Sequence, residues 1–167
     1  MDGQTIDDAT HVIRARKADH LDLCATDAVA FKKQRTLFDD VRLMHRSFPE
    51  VAVDGVDTSV TLLGKRLRMP LVIAAMTGGH ERAREINRAL ARVAERRGIG
   101  FGLGSQRAML RDPSLRATYD VRDVAPTALL LGNLGFVQAS ELDTARVARL
   151  VEEIGRASCR ERVSLNV

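Results

Sequence analysis

Residues 70–79 read PLVIAAMTGG, and this stretch decides the fold. Six apolar residues follow Pro70, the run breaks at Thr77-Gly78-Gly79, and a helical pattern begins directly afterwards. An apolar run without polar alternation is typical of a strand buried on both faces of a parallel sheet. In α/β folds, ligands bind at the carboxyl ends of such strands. The stretch therefore predicts a buried strand whose final turn carries function.

The same unit of strand, polar or glycine turn, and helix recurs twice downstream. The predicted order after the first strand, 71–76, is helix 81–97, strand 99–104, irregular helix 108–118, strand 128–131 and helix 143–154. Such alternation favours a parallel sheet with helices outside it, so we predict an α/β fold. A closed barrel needs about eight of these units, and the chain has three.

Two further segments precede the sheet. Residues 5–48 have partial helical periodicity and no glycine or proline after the first turn, which predicts a largely helical segment. Residues 57–69 contain two short β-type runs around Gly64, which predicts a hairpin that covers one end of the sheet. We therefore divide the chain into a helical segment, 1–56, and a hairpin with three βα units, 57–154.

The end of the chain breaks the pattern. Residues 155–167 read GRASCRERVSLNV, with four charged residues where a fourth buried strand is expected. The piece GRASCRERV resembles the translation of a sequencing adapter. We expect residues 155–167 to be a non-native tail on a truncated protein; the alternative is a genuine polar tail.

Composition narrows the class of protein. The chain has 167 residues, of which 45% are hydrophobic and 29% charged, as in globular domains. No apolar run approaches the roughly 20 residues of a membrane span, and two cysteines without disulfide or metal spacing favour the cytoplasm. The net charge is +4, but the arginines are scattered and lack interleaved aromatics. This pattern argues against a nucleic-acid surface. Scattered arginines could also bind small anions such as phosphates, or they could reflect only a GC-rich coding background.

Polar residues follow each predicted strand. Ser105, Gln106 and Arg107 follow a glycine-rich strand that leaves room for a ligand, and a guanidinium can fork onto two diphosphate oxygens. Taken alone, this pattern favours a helix N-cap serine followed by solvated residues. Asn133, in the GNLG that ends the third strand, fits either a ligand contact or a left-handed turn. The run RKADH, 16–20, taken alone favours a solvated charged surface.

Taken together and in order, these motifs resemble a known family. The motifs are RKADH (16–20), FDDVRLMHRSFPE (38–50), the run from 57 to MTGG (76–79), IN..LA..A (86–94), GLGSQRAML (102–110) and GNLG (132–135). Their order is similar to that of the type 2 isopentenyl-diphosphate isomerases, over nearly all of residues 10–154. The resemblance implies a (β/α)8 TIM barrel that interconverts isopentenyl and dimethylallyl diphosphate in isoprenoid biosynthesis. It also implies reduced FMN, NADPH to keep the flavin reduced, Mg²⁺ on the diphosphate, and a homo-oligomer.

The resemblance assigns a role to each motif. The implied FMN contacts are Ala75, Met76, Thr77, Ser105 and Asn133. The implied contacts to the diphosphate substrate are Arg16, Lys17, His20, Ser105, Gln106 and Arg107. The catalytic and metal-binding residues are expected beyond the fourth strand, so none is assigned here, and we expect this chain alone to be inactive.

Two alternatives stay open at this point. One is another FMN-dependent TIM barrel, similar to the α-hydroxy-acid oxidases, although RKxxH and GSQR are not expected in that class. The other is a small non-catalytic α/β binding protein that ends at Val167.

Overall fold

A computed structural model describes residues 3–26, 29–48, 50–135, 139–140 and 142–154, so the predicted tail, 155–167, lies outside it. The helices are α1 (Gly3–Cys24), α2 (Glu81–Arg97), α3 (Arg107–Arg111) and α4 (Thr144–Ile154). The strands are β1 (Val60–Leu62), β2 (Lys65–Leu67), β3 (Val72–Ile73), β4 (Gly100–Gly102) and β5 (Leu129–Leu131). Short 3₁₀ helices cover Leu37–Asp40, Val53–Gly55 and Pro113–Thr118. Among the described helices, none is both long and apolar enough to cross a membrane.

The sheet that carries the site is parallel and open. Its strands lie in the order β3-β4-β5, with Ile73 opposite Phe101 and Phe101 opposite Leu130. Parallel neighbours in chain order, joined through α2 and through α3, confirm the predicted α/β class. β3 is shorter than the predicted 71–76, because the residues after Ile73 no longer pair with β4. The segments that follow β3 and β4 meet again where the Gly104 amide donates to the Thr77 carbonyl at 2.8 Å.

The predicted hairpin is confirmed, and it covers the amino end of the sheet. β1 and β2 pair antiparallel around a tight turn, 63–64, whose residues have φ of 52° and 75°. The Arg68 amide donates to the Gly98 carbonyl at 2.8 Å, and Lys65 Nζ donates to the Thr127 carbonyl at 2.9 Å. Both carbonyls lie two residues before a strand of the parallel sheet, so the hairpin lies at the end opposite the carboxyl ends of the strands.

α2 has the predicted bounds but a different buried face. The apolar residues at helical spacing, which the sequence predicts as the inner face, are Ala83, Ile86, Leu90, Val93 and Ala94. The fully buried residues of α2 are Ala83, Asn87, Ala91 and Ala94, whereas Ile86, Leu90 and Val93 are only half-buried. Small side chains let the helix lie close over the sheet, where Ala91 and Ala94 join a core containing Phe101, Leu103 and Leu130.

The N-terminal segment is less helical than predicted. α1 ends at Cys24, and within residues 30–48 one 3₁₀ turn, Leu37–Asp40, interrupts otherwise irregular chain. Large apolar side chains here are exposed, Phe48 to 92%. Because most helical stability comes from burying an apolar face, a segment with loose periodicity and no packing partner in the described chain does not form a long helix. The prediction of helix through residue 48 was therefore wrong.

Candidate site at the carboxyl ends of the parallel strands

Three loops meet at the carboxyl end of the sheet. The Gly104 amide, after β4, donates to the carbonyl of Thr77, after β3, at 2.8 Å. The Gln106 amide donates to the carbonyl of Asn133, after β5, at 2.9 Å. These two bonds bring the predicted residues Thr77, Gln106 and Asn133, with Ser105 between the bonded amides, to one edge of the molecule.

Two glycines make this close approach possible. A Cβ on Gly104 would lie 2.3 Å from the Thr77 carbonyl oxygen, so no side chain fits between the first two loops. A Cβ on Gly78, which has a φ of 153°, would lie 2.1 Å from Cε1 of Tyr119. The loops are therefore packed backbone to backbone and backbone to ring, which leaves the site little freedom to rearrange.

A buried amide, which sequence reasoning missed, holds the first loop. Asn87 Nδ2 donates to the carbonyls of Thr118, at 2.8 Å, and Thr77, at 3.3 Å, while the Thr77 hydroxyl donates to Asn87 Oδ1. The Gly79 amide donates to the Thr118 hydroxyl at 3.0 Å. We call Thr77, Gly79, Asn87 and Thr118 the Asn87 cluster. The available signal was a lone polar residue on the small-residue stripe of α2, at four-residue spacing from Ala83 and Ala91.

Tyr119 holds the second loop, and this role too was missed. Its ring is buried against Gly78, and its hydroxyl donates to the Ser105 carbonyl at 2.8 Å. Burial raises the pKa of Tyr119, so the hydroxyl keeps its proton and stays a donor. Tyr119 is the one tyrosine in the sequence, and that scarcity was the signal available beforehand.

Gln106 brings an unused donor to the site. Its side chain is 3% exposed, and Nε2 has no hydrogen-bond partner in the part of the chain that the structure describes. Buried amide donors are nearly always paired, because leaving one unpaired costs about 1–3 kcal/mol. A hydrogen-bond acceptor on a bound ligand would pair with Gln106 Nε2.

Positive charge gathers beside the second loop. α1 contacts α3, and burial together with the charges of Arg16 and Arg111 lowers the pKa of Arg107. Arg16 and Arg107 are 91 positions apart in the chain, and their proximity brings together two predicted substrate contacts. His20 is an exposed residue of the same helix α1, and the side chain of Lys17 lies outside the described residues.

The remaining predicted flavin contacts differ in exposure. Ala75 is half-buried and Met76 is 65% exposed, both in the segment between β3 and Thr77. Ser105 is half-buried and Asn133 is buried. The strand ends therefore present small or polar groups, with Met76 as the one large side chain among these residues.

The sequence that forms this site is similar to those of known proteins. The sequence model of the FMN-dependent dehydrogenase family matches residues 9–120. Isopentenyl-diphosphate delta-isomerases are 44% identical in Methanosarcina barkeri, over 83% of this chain, and 46% identical in Methanoregula boonei, over 84%. These alignments cover 38% and 39% of those relatives, so the chain spans less than two fifths of their length. The resemblance inferred from the motifs is confirmed, and the chain belongs to the FMN-dependent dehydrogenase family.

Proposed function

We propose that this chain forms the first part of an isomerase that interconverts isopentenyl diphosphate and dimethylallyl diphosphate in isoprenoid biosynthesis. The observation that carries the proposal is the meeting of three strand-end loops, next to a cluster of guanidinium groups. Relatives named isopentenyl-diphosphate delta-isomerase, 44–46% identical over most of the chain, support it. The RKxxH and GSQR motifs favour this activity over that of an α-hydroxy-acid oxidase.

The loops suit a flavin. A flavin ring is flat and carries both donors and acceptors at its edge, and when bound it supplies reversible electron and proton exchange. The Thr77 hydroxyl, the half-buried Ser105 and the buried Asn133 amide are complementary polar groups on one edge of the sheet. We assign Ala75, Met76, Thr77, Ser105 and Asn133 to FMN, with the small Ala75 allowing close approach.

The cationic cluster suits a diphosphate. Burial and, after it, the charges of Arg16 and Arg111 lower the pKa of Arg107, and an anion bound beside these guanidinium groups would offset their repulsion. We assign Arg16, Lys17, His20, Ser105, Gln106 and Arg107 to the substrate. These residues bind and orient; the proton-transferring groups and the ligands of Mg²⁺ are proposed to come from the later barrel strands.

Further properties follow from the family resemblance and stay proposals. They are a complete (β/α)8 barrel, NADPH as the reductant of the flavin, Mg²⁺, homo-oligomerisation and a cytoplasmic location. The chain as given, with a three-stranded parallel sheet in its described part, is proposed to be inactive alone.

The test uses a completed chain, made by joining residues 1–154 to the C-terminal remainder of the Methanoregula boonei relative. With reduced FMN and Mg²⁺ it should convert isopentenyl diphosphate into dimethylallyl diphosphate. Arg107→Gln should raise KM about ten- to a hundredfold, the value of a charge-assisted hydrogen bond, whereas Arg92→Gln, at an exposed position of α2, should not. Turnover of lactate or glycolate instead would favour the oxidase alternative, and no change in KM for Arg107→Gln would refute its substrate role.

A further inference from the structure

The hydrogen bonds around Asn87 fix which way its amide faces. The carbonyl oxygens of Thr77 and Thr118 can only accept, so the atom that faces both of them must be the donor, Nδ2. Oδ1 then faces the Thr77 hydroxyl. Because Oδ1 can only accept, the hydroxyl must donate its single proton to it.

This arrangement removes every donor from the Thr77 side chain. The proton of the hydroxyl is directed inward at Asn87, and the Thr77 carbonyl is already occupied by Asn87 Nδ2 and by the Gly104 amide at 2.8 Å. The lone pairs of the hydroxyl remain, on a residue that is half-buried. A ligand atom that faces this hydroxyl must itself carry a hydrogen.

A flavin meets this requirement differently in its two oxidation states. Two-electron reduction places hydrogen on ring nitrogens that are bare acceptors in the oxidised ring. We propose that Asn87 is a positioning residue that makes the Thr77 hydroxyl an obligate acceptor, so that the site favours reduced over oxidised flavin. This inference rests on the proposed flavin site and goes beyond it, because Asn87 lies on α2 and acts only through Thr77.

The experiment compares the dissociation constants of oxidised and reduced FMN, and the reduction potential of bound FMN, in the completed chain. Asn87→Leu and Thr77→Val should each weaken binding of reduced FMN about tenfold more than binding of oxidised FMN. That ratio corresponds to a potential about 30 mV more negative for a two-electron couple. Thr77→Ser keeps the hydroxyl, so its potential should stay within a few millivolts of that of the parent. That shift corresponds to a change on the order of 1.5-fold in the ratio of the two dissociation constants.

A double variant separates positioning from a general structural effect. If Asn87 acts through Thr77, Asn87→Leu in the Thr77→Val background should leave the potential where Thr77→Val alone puts it. An unchanged potential in Thr77→Val, or equal weakening of both flavin forms, would overturn the inference; Thr77→Val keeps this test available if Asn87→Leu does not fold. A completed parent chain that binds neither form of FMN would instead refute the proposed flavin site, and this inference with it.

Discussion

Replacing Gly104 by alanine should separate the first two loops of the site. The added Cβ would lie 2.3 Å from the Thr77 carbonyl oxygen and 2.6 Å from its carbon, and both are backbone atoms that cannot rotate away. Relaxing the shorter contact to 3.0 Å requires a movement of about 0.7 Å. That movement strains the 2.8 Å hydrogen bond from the Gly104 amide to the same oxygen.

The expected cost combines overpacking, about 1–3 kcal/mol, with a weakened hydrogen bond, about 0.5–1.5 kcal/mol. Gly104→Ala should therefore lose about 3 kcal/mol of unfolding free energy, measured by urea denaturation of the completed chain. It should also weaken FMN binding, because the two loops carry Thr77 and Ser105. Gly55→Ala is the matched control, since a Cβ there has nothing within 4 Å. Equal urea midpoints for Gly104→Ala and Gly55→Ala would show that the loops are not as tightly packed as described.

Two further predictions concern buried polar contacts. Tyr119→Phe should cost about 1–2 kcal/mol, because the Ser105 carbonyl loses its donor; an unchanged urea midpoint and FMN affinity would contradict this. Glu95 accepts from the amides of Thr127 and Ala128, and although burial opposes them, these bonds and the Thr127 hydroxyl lower the pKa of Glu95. The ionised Glu95 therefore adds to the free energy of unfolding above its unfolded-state pKa of about 4.3, and this stabilisation is lost as the pH falls through the lower folded-state pKa. The acid-side fall in stability should thus be shallower in Glu95→Gln, and parallel pH profiles of the two proteins would argue against this role.

The sequence predicted helix and strand ends best where glycines or polar residues interrupt an otherwise regular pattern. α2 has the predicted bounds because Gly79 and Gly98 bracket a continuous run of good helix formers. The end of β5 at Leu131 was also predicted, because the apolar run stops there at a glycine, whereas β3 and β4 end at Ile73 and Gly102, before the predicted residues 76 and 104. Strand ends of parallel sheets share one edge, so Thr77, Gln106 and Asn133 were expected together and lie together.

Contacts that depend on tertiary packing could not be read from local patterns. Asn87 and Tyr119 reach the site from α2 and from the end of a 3₁₀ turn. The sequence marks Asn87 as a polar residue among alanines and Tyr119 as the one tyrosine, but it does not indicate which groups they bond. The rotation of the buried face of α2, away from Leu90 and toward Ala91, follows from how closely the helix approaches the sheet. The predicted helix through residue 48 failed because its periodicity was too weak to define a buried face.

The hairpin at the amino end of the sheet has a practical consequence for protein engineering. Its turn, 63–64, lies at the opposite end of the strands from Thr77 and Asn133, and a Cβ on Gly64 would meet nothing within 4 Å. A peptide tag or a fluorescent reporter inserted in this turn would face solvent at the end remote from the site. Surface attachment through the same turn would present the three strand-end loops outward, which suits immobilised assays of the proposed flavin binding.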